Sequence, residues 1–176
     1  MKRPTSPLSL AFNTPRLTML TVAPPLVDDP PAQTLLNAIV KILTPTVTAS
    51  LPPYFSNVHS SSQAKIWLDK MTSDSELLAI TAQDSHTIMG FIFIHESDNG
   101  GANLGYLLGE EYWQQGFAKE CLSGLLTYCQ TLKRYRTFSA GVDKNNIASA
   151  NLLTKIGFKP DNKNNAGVTF FSFHLS

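Results

Sequence analysis

The sequence has little charge, little cysteine and no long apolar run, and each shortage removes a class of function. Asp, Glu, Lys and Arg together make up 15% of its 176 residues and hydrophobic residues 43%, which excludes both a coiled coil and a disordered chain. Fourteen Lys and Arg against thirteen Asp and Glu leave a formal charge of +1. That balance provides no basic field for nucleic acid or anionic lipid, and no acidic tail. A charged substrate must then be held by local groups. No apolar stretch approaches the ~20 residues that span a bilayer, so no membrane contact is expected. The basic start Met1-Lys2-Arg3 runs into Pro4 and Pro7 with no apolar segment behind it, which speaks against a secretory leader. Cys121 and Cys129 fall on one helical stretch, roughly 12 Å apart along its axis and beyond disulfide reach. His59, His86 and His174 are scattered without ligand spacing, so no metal is expected. These shortages together predict a reduced, cytoplasmic protein.

What is present is enough apolar sequence for one domain with a core. Residues 1–15 carry three prolines and little pattern, and read as a loose N-terminal arm. The single domain would then be 16–176. Arg16–Val22 suits a strand that Pro24-Pro25 ends. Asp28-Asp29-Pro30-Pro31 looks like a helix opening, with Leu35, Leu36, Ile39, Val40 and Leu43 at helical spacing behind it. Thr44–Val58 holds Pro45, Pro52 and Pro53 and should be irregular. Ser60 and Gln63 form a capping box before a short apolar stripe. Leu77–Thr81 and Ile88–Ile94 are strand-like, the second apolar on both faces and therefore central. Asp98-Asn99-Gly100-Gly101 predicts a hairpin, and Asn103–Leu108 the returning strand. A helix follows from Gly116, then a strand over Thr137–Val142. A short helix over Ile147–Ile156 is stopped by Gly157, with Phe158 placed to touch Leu153. Asp161–Gly167 reads as a polar loop and Val168–Leu175 as the last strand. The expected fold is α+β, a mixed and mostly antiparallel sheet.

The informative junction is strand, loop and helix over Leu104–Glu120. Gly116 opens the helix and small Ala118 sits in its first turn. Unpaired backbone N–H groups at the positive end of a helix dipole make an anion site, and phosphate is the usual occupant. The bland alternative is that Gly116 only permits the turn. Neither a Walker loop nor a dinucleotide fingerprint is present.

Trp113-Gln114-Gln115-Gly116-Phe117-Ala118, the preceding Gly105-Tyr106, and the downstream Asn146, Ser149 and Gly157-Phe158 together resemble the GNAT superfamily of acetyl-CoA-dependent N-acetyltransferases, in particular its RimJ/RimL-like, ribosomal-protein N-terminal branch. The family's [Q/R/W]-x-x-G-x-[G/A] matches Trp113-Gln114-Gln115-Gly116-Phe117-Ala118. Gly105-Tyr106-Leu107-Leu108-Gly109 through Tyr112-Trp113, then Asn146, Ser149 and Gly157-Phe158, follow this branch in order and spacing. Upstream, Thr14-Pro15-Arg16-Leu17 and Met89-Gly90-Phe91 stand where it has T-x-R-L and I-G. The resemblance implies a GNAT fold, with six or seven strands, about four helices, and two neighbouring parallel strands that splay apart. It further implies acetyl-CoA as cosubstrate and an amine acceptor, either a protein N-terminus or a small amine. The protein would be a monomer or a homodimer. Backbone groups of Tyr106 and Leu108 would bond the pantetheine arm as an added strand. Gln114, Gln115, Gly116, Phe117, Ala118 and Lys119 would hold the pyrophosphate, and Asn146 would cap the last helix and touch the arm.

The family's usual tyrosine acid falls at Leu153, so the resemblance leaves Ser149 as donor to the departing thiolate. The position where an acidic residue often serves as base is Asn103, which cannot take a proton. Glu96, Asp98, Glu110, Glu111 and His95 are the remaining candidates nearby. An α-amine with pKa ~7.7–8.0 is partly neutral already, whereas a lysine-like amine near ~10.4 needs a base. A missing base therefore favours a weakly basic acceptor. Pro52, Pro53, Tyr54 and Phe55 would line its pocket. A small metabolite or antibiotic as acceptor, and a non-catalytic acetyl-CoA-binding module, stay open as alternatives.

Overall fold

The computed structural model describes residues 8–23 and 30–176. Pro24-Pro25, the Asp28-Asp29 opening and Met1–Pro7 of the expected arm lie outside the described residues. One eight-stranded sheet organises the chain, in the order β1-β2-β3-β4-β5-β6-β8-β7. Its strands are β1 (Leu8–Asn13), β2 (Leu17–Val22), β3 (Glu76–Ala82), β4 (Ile88–Ser97), β5 (Gly101–Leu108), β6 (Thr137–Asp143), β7 (Lys159–Asn165) and β8 (Val168–His174). Every neighbouring pair is antiparallel except β5 and β6. The helices are α1 (Pro30–Ile42), the single turn α2 (Pro45–Thr48), α3 (Ser61–Asp74), α4 (Phe117–Leu132) and α5 (Ile147–Lys155).

The alternation of side chains along the strands builds a core on each face of the sheet. Leu78, Ile80, Ile92, Ile94 and Phe138 meet Cys121, Leu122, Leu125 and Leu126 of α4 and Leu153 of α5 on one face. Leu77, Ala79, Phe91 and Leu107 meet Leu35 and Ile39 of α1 and Trp67 and Leu68 of α3 on the other. β4 is apolar on both faces because it is covered on both, as its unbroken apolar run predicts. Cys121 and Cys129 are buried and unbridged in α4.

Three elements differ from the sequence expectation. The single turn α2 stands in the 44–58 stretch expected to be irregular, capped by the Thr44 hydroxyl with Pro45 in its first turn. Two strands stand where none is expected. Leu8–Asn13, read as part of a loose arm, is strand β1, paired with β2. Phe12 stacks on Tyr128 of α4 with ring centroids 4.8 Å apart, a tertiary contact that local pattern does not reveal. The polar stretch Lys159–Asn165 is strand β7 rather than a loop. It lies at the sheet edge, where polar side chains meet water at no cost. Ala166 and Gly167, at φ 43° and 87°, make the left-handed two-residue turn into β8. The end of α5 matches its prediction in detail. Gly157 has φ 105°, Phe158 N–H donates to the Leu153 carbonyl at 2.9 Å, and both Leu153 and Phe158 are buried.

Gly90 has a packing reason. A Cβ there would lie 2.1 Å from the Leu107 carbonyl oxygen and 2.9 Å from the Leu108 Cα, both backbone atoms of β5. Gly90→Ala should therefore push β5 from β4 and lower stability by about 1–3 kcal/mol, the usual cost of overpacking. Chemical denaturation of the two proteins checks this; an unchanged midpoint would show that the strands separate freely here.

Candidate active site

β5 and β6 pair over only three positions, Gly101↔Thr137, Ala102↔Phe138 and Asn103↔Ser139. Beyond them the strands part, although β5 stays paired to β4 as far as Leu108 and β6 to β8 as far as Asp143. Gly109 N–H donates to the Met89 carbonyl, so the odd-numbered residues of β5 turn their backbone groups to β4. Leu104, Tyr106 and Leu108 consequently turn theirs to the gap. Arg136 N–H on the Gly100 carbonyl at 2.7 Å fixes the same parity at the closed end. The Leu108 carbonyl accepts the Trp113 indole N–H at 2.9 Å, which ties the mouth of the gap to the following turn.

That turn has two left-handed residues, Gln114 at φ 59° and Gly116 at φ 81°. Gly116 is the N-cap of α4 and offers no side-chain cap. The first amides of α4 are thus free of side-chain acceptors at the positive end of the helix dipole. Gln115 Nε2 donates back to the Glu111 carbonyl at 2.7 Å, closing the turn on itself. Gln115 and Lys119 are exposed, whereas Phe117 and Ala118 are half-buried. Gln114, a non-glycine residue, holds its left-handed backbone at a cost of order 1–3 kcal/mol.

Across the gap, Tyr106 and Ser149 join their hydroxyls at 2.8 Å. Ser149 stands in the first turn of α5, where its N–H donates to Oδ1 of the capping Asn146 at 3.2 Å. Burial pushes the Tyr106 phenol up to about 12, against a smaller opposing effect of its bond to Ser149. The phenol thus stays protonated at any working pH and can donate to Ser149 Oγ, leaving the serine proton for another acceptor. The part of the Tyr106 side chain in this pair is not visible from its sequence position, which marks only its backbone. Leu153 is wholly buried in the core and carries no proton chemistry.

Three of the five candidate bases are held by partners of their own. His95 pairs with Asn103 across the sheet at the closed end, and its Nδ1 bonds the Asp74 carbonyl at the end of α3. Glu96 accepts from Arg134 and from the Tyr135 hydroxyl, each at 3.2 Å. Glu111 is paired with Lys41 at 2.8 Å. Asp98 and Glu110 sit in exposed turns. Phe55, expected to line an acceptor pocket, is buried edge-on to Phe93 at 5.4 Å and Trp67 at 5.8 Å. Tyr54 is about half exposed beside it, under Lys70. Phe93 in turn packs 3.6 Å from where a Gly105 Cβ would stand, so this aromatic cluster reaches the strand that borders the gap. No group of three His, Cys, Asp or Glu side chains gathers among the described residues.

The family profile described as acetyltransferase (GNAT) domain matches residues 27–159. The uncharacterized N-acetyltransferase p20 of Bacillus licheniformis is 35% identical over 72 residues, 41% of this chain and 40% of that protein's own length. Among solved structures, RimL, the ribosomal L7/L12 α-N-protein acetyltransferase in complex with coenzyme A, superposes with TM-score 0.74 at 17% identity, over 95% of this chain and 98% of that one. The microcin C7 self-immunity acetyltransferase MccE, in complex with acetyl-CoA and AMP, gives 0.70 at 16% identity, over 89% and 92%. At these identities the likeness concerns the fold.

The turn can be tested directly. A side chain at Gly116 is strained at φ 81°, its Cβ would lie 3.4 Å from Arg16 Nη2, and a carboxylate there adds negative charge to the turn. Gly116→Asp should therefore abolish acetyl-CoA binding in calorimetry while the circular dichroism stays that of the wild type. Unchanged affinity would remove phosphate from this turn.

Proposed function

The chain belongs to the acetyltransferase (GNAT) domain family, and from that premise we propose that it moves the acetyl group of acetyl-CoA to a primary amine, a protein N-terminal α-amine in the first instance. One observation carries this reading. The only parallel pair among the described strands parts after three residues, beside a left-handed turn that opens a helix. The backbone groups of Leu104, Tyr106 and Leu108 that face the gap suit an extended amide-bearing arm, which would bond there as a strand does. The amides of Gly116, Phe117, Ala118 and Lys119 suit a pyrophosphate, held by dipole and hydrogen bonds where the net charge of the chain supplies no attraction. Asn146 holds the first turn of α5 against this arm. Direct attack of the neutral amine on the thioester in a ternary complex forms the C–N bond and breaks the C–S bond. It leaves one excess proton on nitrogen, which passes to solvent water, and one negative charge on sulfur. Ser149 donates to the sulfur, and Tyr106 in turn donates to Ser149.

The acceptor class follows from the lack of a free base. With His95, Glu96 and Glu111 engaged elsewhere and Asp98 and Glu110 in exposed turns, the amine arrives largely neutral, which suits an α-amine over a lysine side chain. Thiol release from acetyl-CoA, measured with a panel of peptides, lysine analogues and small amines, tests this. Faster turnover of peptides carrying a free N-terminus supports the proposal, and exclusive turnover of a small amine overturns the acceptor class.

Two further outcomes are expected. Ser149→Ala should lower kcat by up to ~10²-fold, with a smaller change in the KM for acetyl-CoA, and Tyr106→Phe should lower it less. A near wild-type rate for both variants would leave the hydroxyl pair a structural role.

The pH profile gives the second outcome. The value of kcat/KM should climb with pH to the acceptor's own pKa and then level, with no fall below pH ~10. The Tyr106 phenol, raised to about 12, keeps its proton throughout that range. Two acceptors of different amine pKa decide the matter, because a bend at one fixed pH for both would reveal an enzyme base.

A further inference from the structure

Thr14 and Arg16 lie immediately before β2, about a hundred residues from the turn at 114–116, yet their side chains close on it. Glu120, in the first turn of α4, accepts from the Thr14 hydroxyl at 2.7 Å, from the Arg16 N–H at 2.8 Å and from Arg16 Nε at 2.7 Å. Burial raises the Glu120 carboxyl, but these donors outweigh it and hold the group below its ordinary range. It therefore stays ionised near neutrality. The same guanidinium donates from Nη1 to the Gln115 carbonyl at 3.1 Å and lies over the Phe117 ring at 4.2 Å. Its Nη2 is 3.4 Å from the place a Gly116 Cβ would take. One side chain thus holds the residues on both sides of Gly116.

The peptide joining Gln115 to Gly116 is planar and trans, so its C=O and N–H point in opposite directions. A donor fixed on the Gln115 carbonyl fixes the Gly116 N–H on the far side. Glu120 has a second consequence. A free carboxylate in the first turn of α4 would repel an anion from the helix terminus, and Arg16 neutralises it. A planar fork can bond the Glu120 carboxylate and the Gln115 carbonyl at once while lying flat on a ring. An ammonium cannot do all three.

We propose that Arg16 is a positioning residue for the nucleotide end of acetyl-CoA, keeping the Gly116 amide aimed at the pyrophosphate by holding the Gln115 carbonyl, the Phe117 ring and Glu120. This rests on the reading of the 114–119 turn as the pyrophosphate site. Arg16 acts through the turn and not as a ligand of the phosphate, so shape matters and charge alone does not.

The test compares acetyl-CoA, titrated by calorimetry, with acetyl-pantetheine, which has the same thioester arm without pyrophosphate, titrated by NMR. Arg16→Lys and Arg16→Met should each weaken acetyl-CoA about tenfold or more, the equivalent of one charge-assisted hydrogen bond, and leave acetyl-pantetheine unchanged. Wild-type affinity in Arg16→Lys would mean that charge suffices, and would overturn the proposal. Equal weakening of both ligands, or loss of the fold, would make Arg16 a structural residue and overturn it too. Gly116→Asp separates the two levels. If it abolishes acetyl-CoA binding while the Arg16 variants bind normally, only the role of Arg16 falls. If it leaves acetyl-CoA binding intact, the turn is not the phosphate site and the proposal falls with it.

Discussion

A β-strand buried in a sheet must satisfy its backbone groups on both sides, and β5 satisfies one side along its length and the other over three residues only. The rest of the site depends on that shortfall. Beyond Asn103 the strand presents Leu104, Tyr106 and Leu108 to a partner that has turned away to β8. The opening is kept by pairing on its two outer sides. β4 holds β5 along its whole length, and β8 holds β6 along its whole length, so neither strand can swing across. Tyr106 and Ser149 then bridge the two sides through their hydroxyls instead of their backbones. An edge that invites another chain on the outside of a protein becomes, in the middle of a sheet, a slot that admits one narrow ligand.

The chemistry of the slot is set by burial more than by charge. A phenol raised to about 12 is a poor base and a lasting donor. The backbone of its partner serine is fixed by Asn146, so the two hydroxyls are held together with a phenol that keeps its proton available to the serine oxygen. Of the carboxylates near the strand ends, Glu96 is engaged with Arg134 and Tyr135 and Glu111 with Lys41, while Asp98 and Glu110 lie in exposed turns. A site so arranged helps a leaving group depart and does little to deprotonate an incoming one. That asymmetry is the physical basis for proposing a weakly basic amine.

Most of this arrangement is legible in the sequence wherever local rules dominate. The unbroken apolar run of β4, the Gly157 stop with its Phe158–Leu153 contact, and the strand–turn–helix over Leu104–Glu120 all come from short-range pattern, and each stands where expected. What local pattern cannot show is long-range pairing. Phe12 looks like part of a formless arm until Tyr128 is beside it. Lys159–Asn165 looks like a loop because an edge strand needs no apolar face, and Ala166-Gly167 is a weak turn signal beside the usual Asn-Gly. Phe55 looks like a pocket residue but is held in an aromatic core by Trp67 and Phe93. Tyr106 is marked in sequence by its place on the strand, while its hydroxyl finds a partner 43 residues away.

Arg16 belongs to the same class. Its neighbours Thr14 and Leu17 give it a recognisable setting, but nothing within ten residues says what the guanidinium does. Its meaning comes from Glu120, and that pairing resolves an apparent conflict in the turn. An acidic residue in the first turn stabilises a helix by itself, yet the same charge opposes an anion at the terminus. With three donors from the segment before β2, Glu120 keeps its favourable place on the dipole while its charge is returned to balance. The segment before β2 therefore does two jobs at once. It starts the sheet beside β1, and through the Gln115 carbonyl and Glu120 it secures a turn about a hundred residues further along the chain.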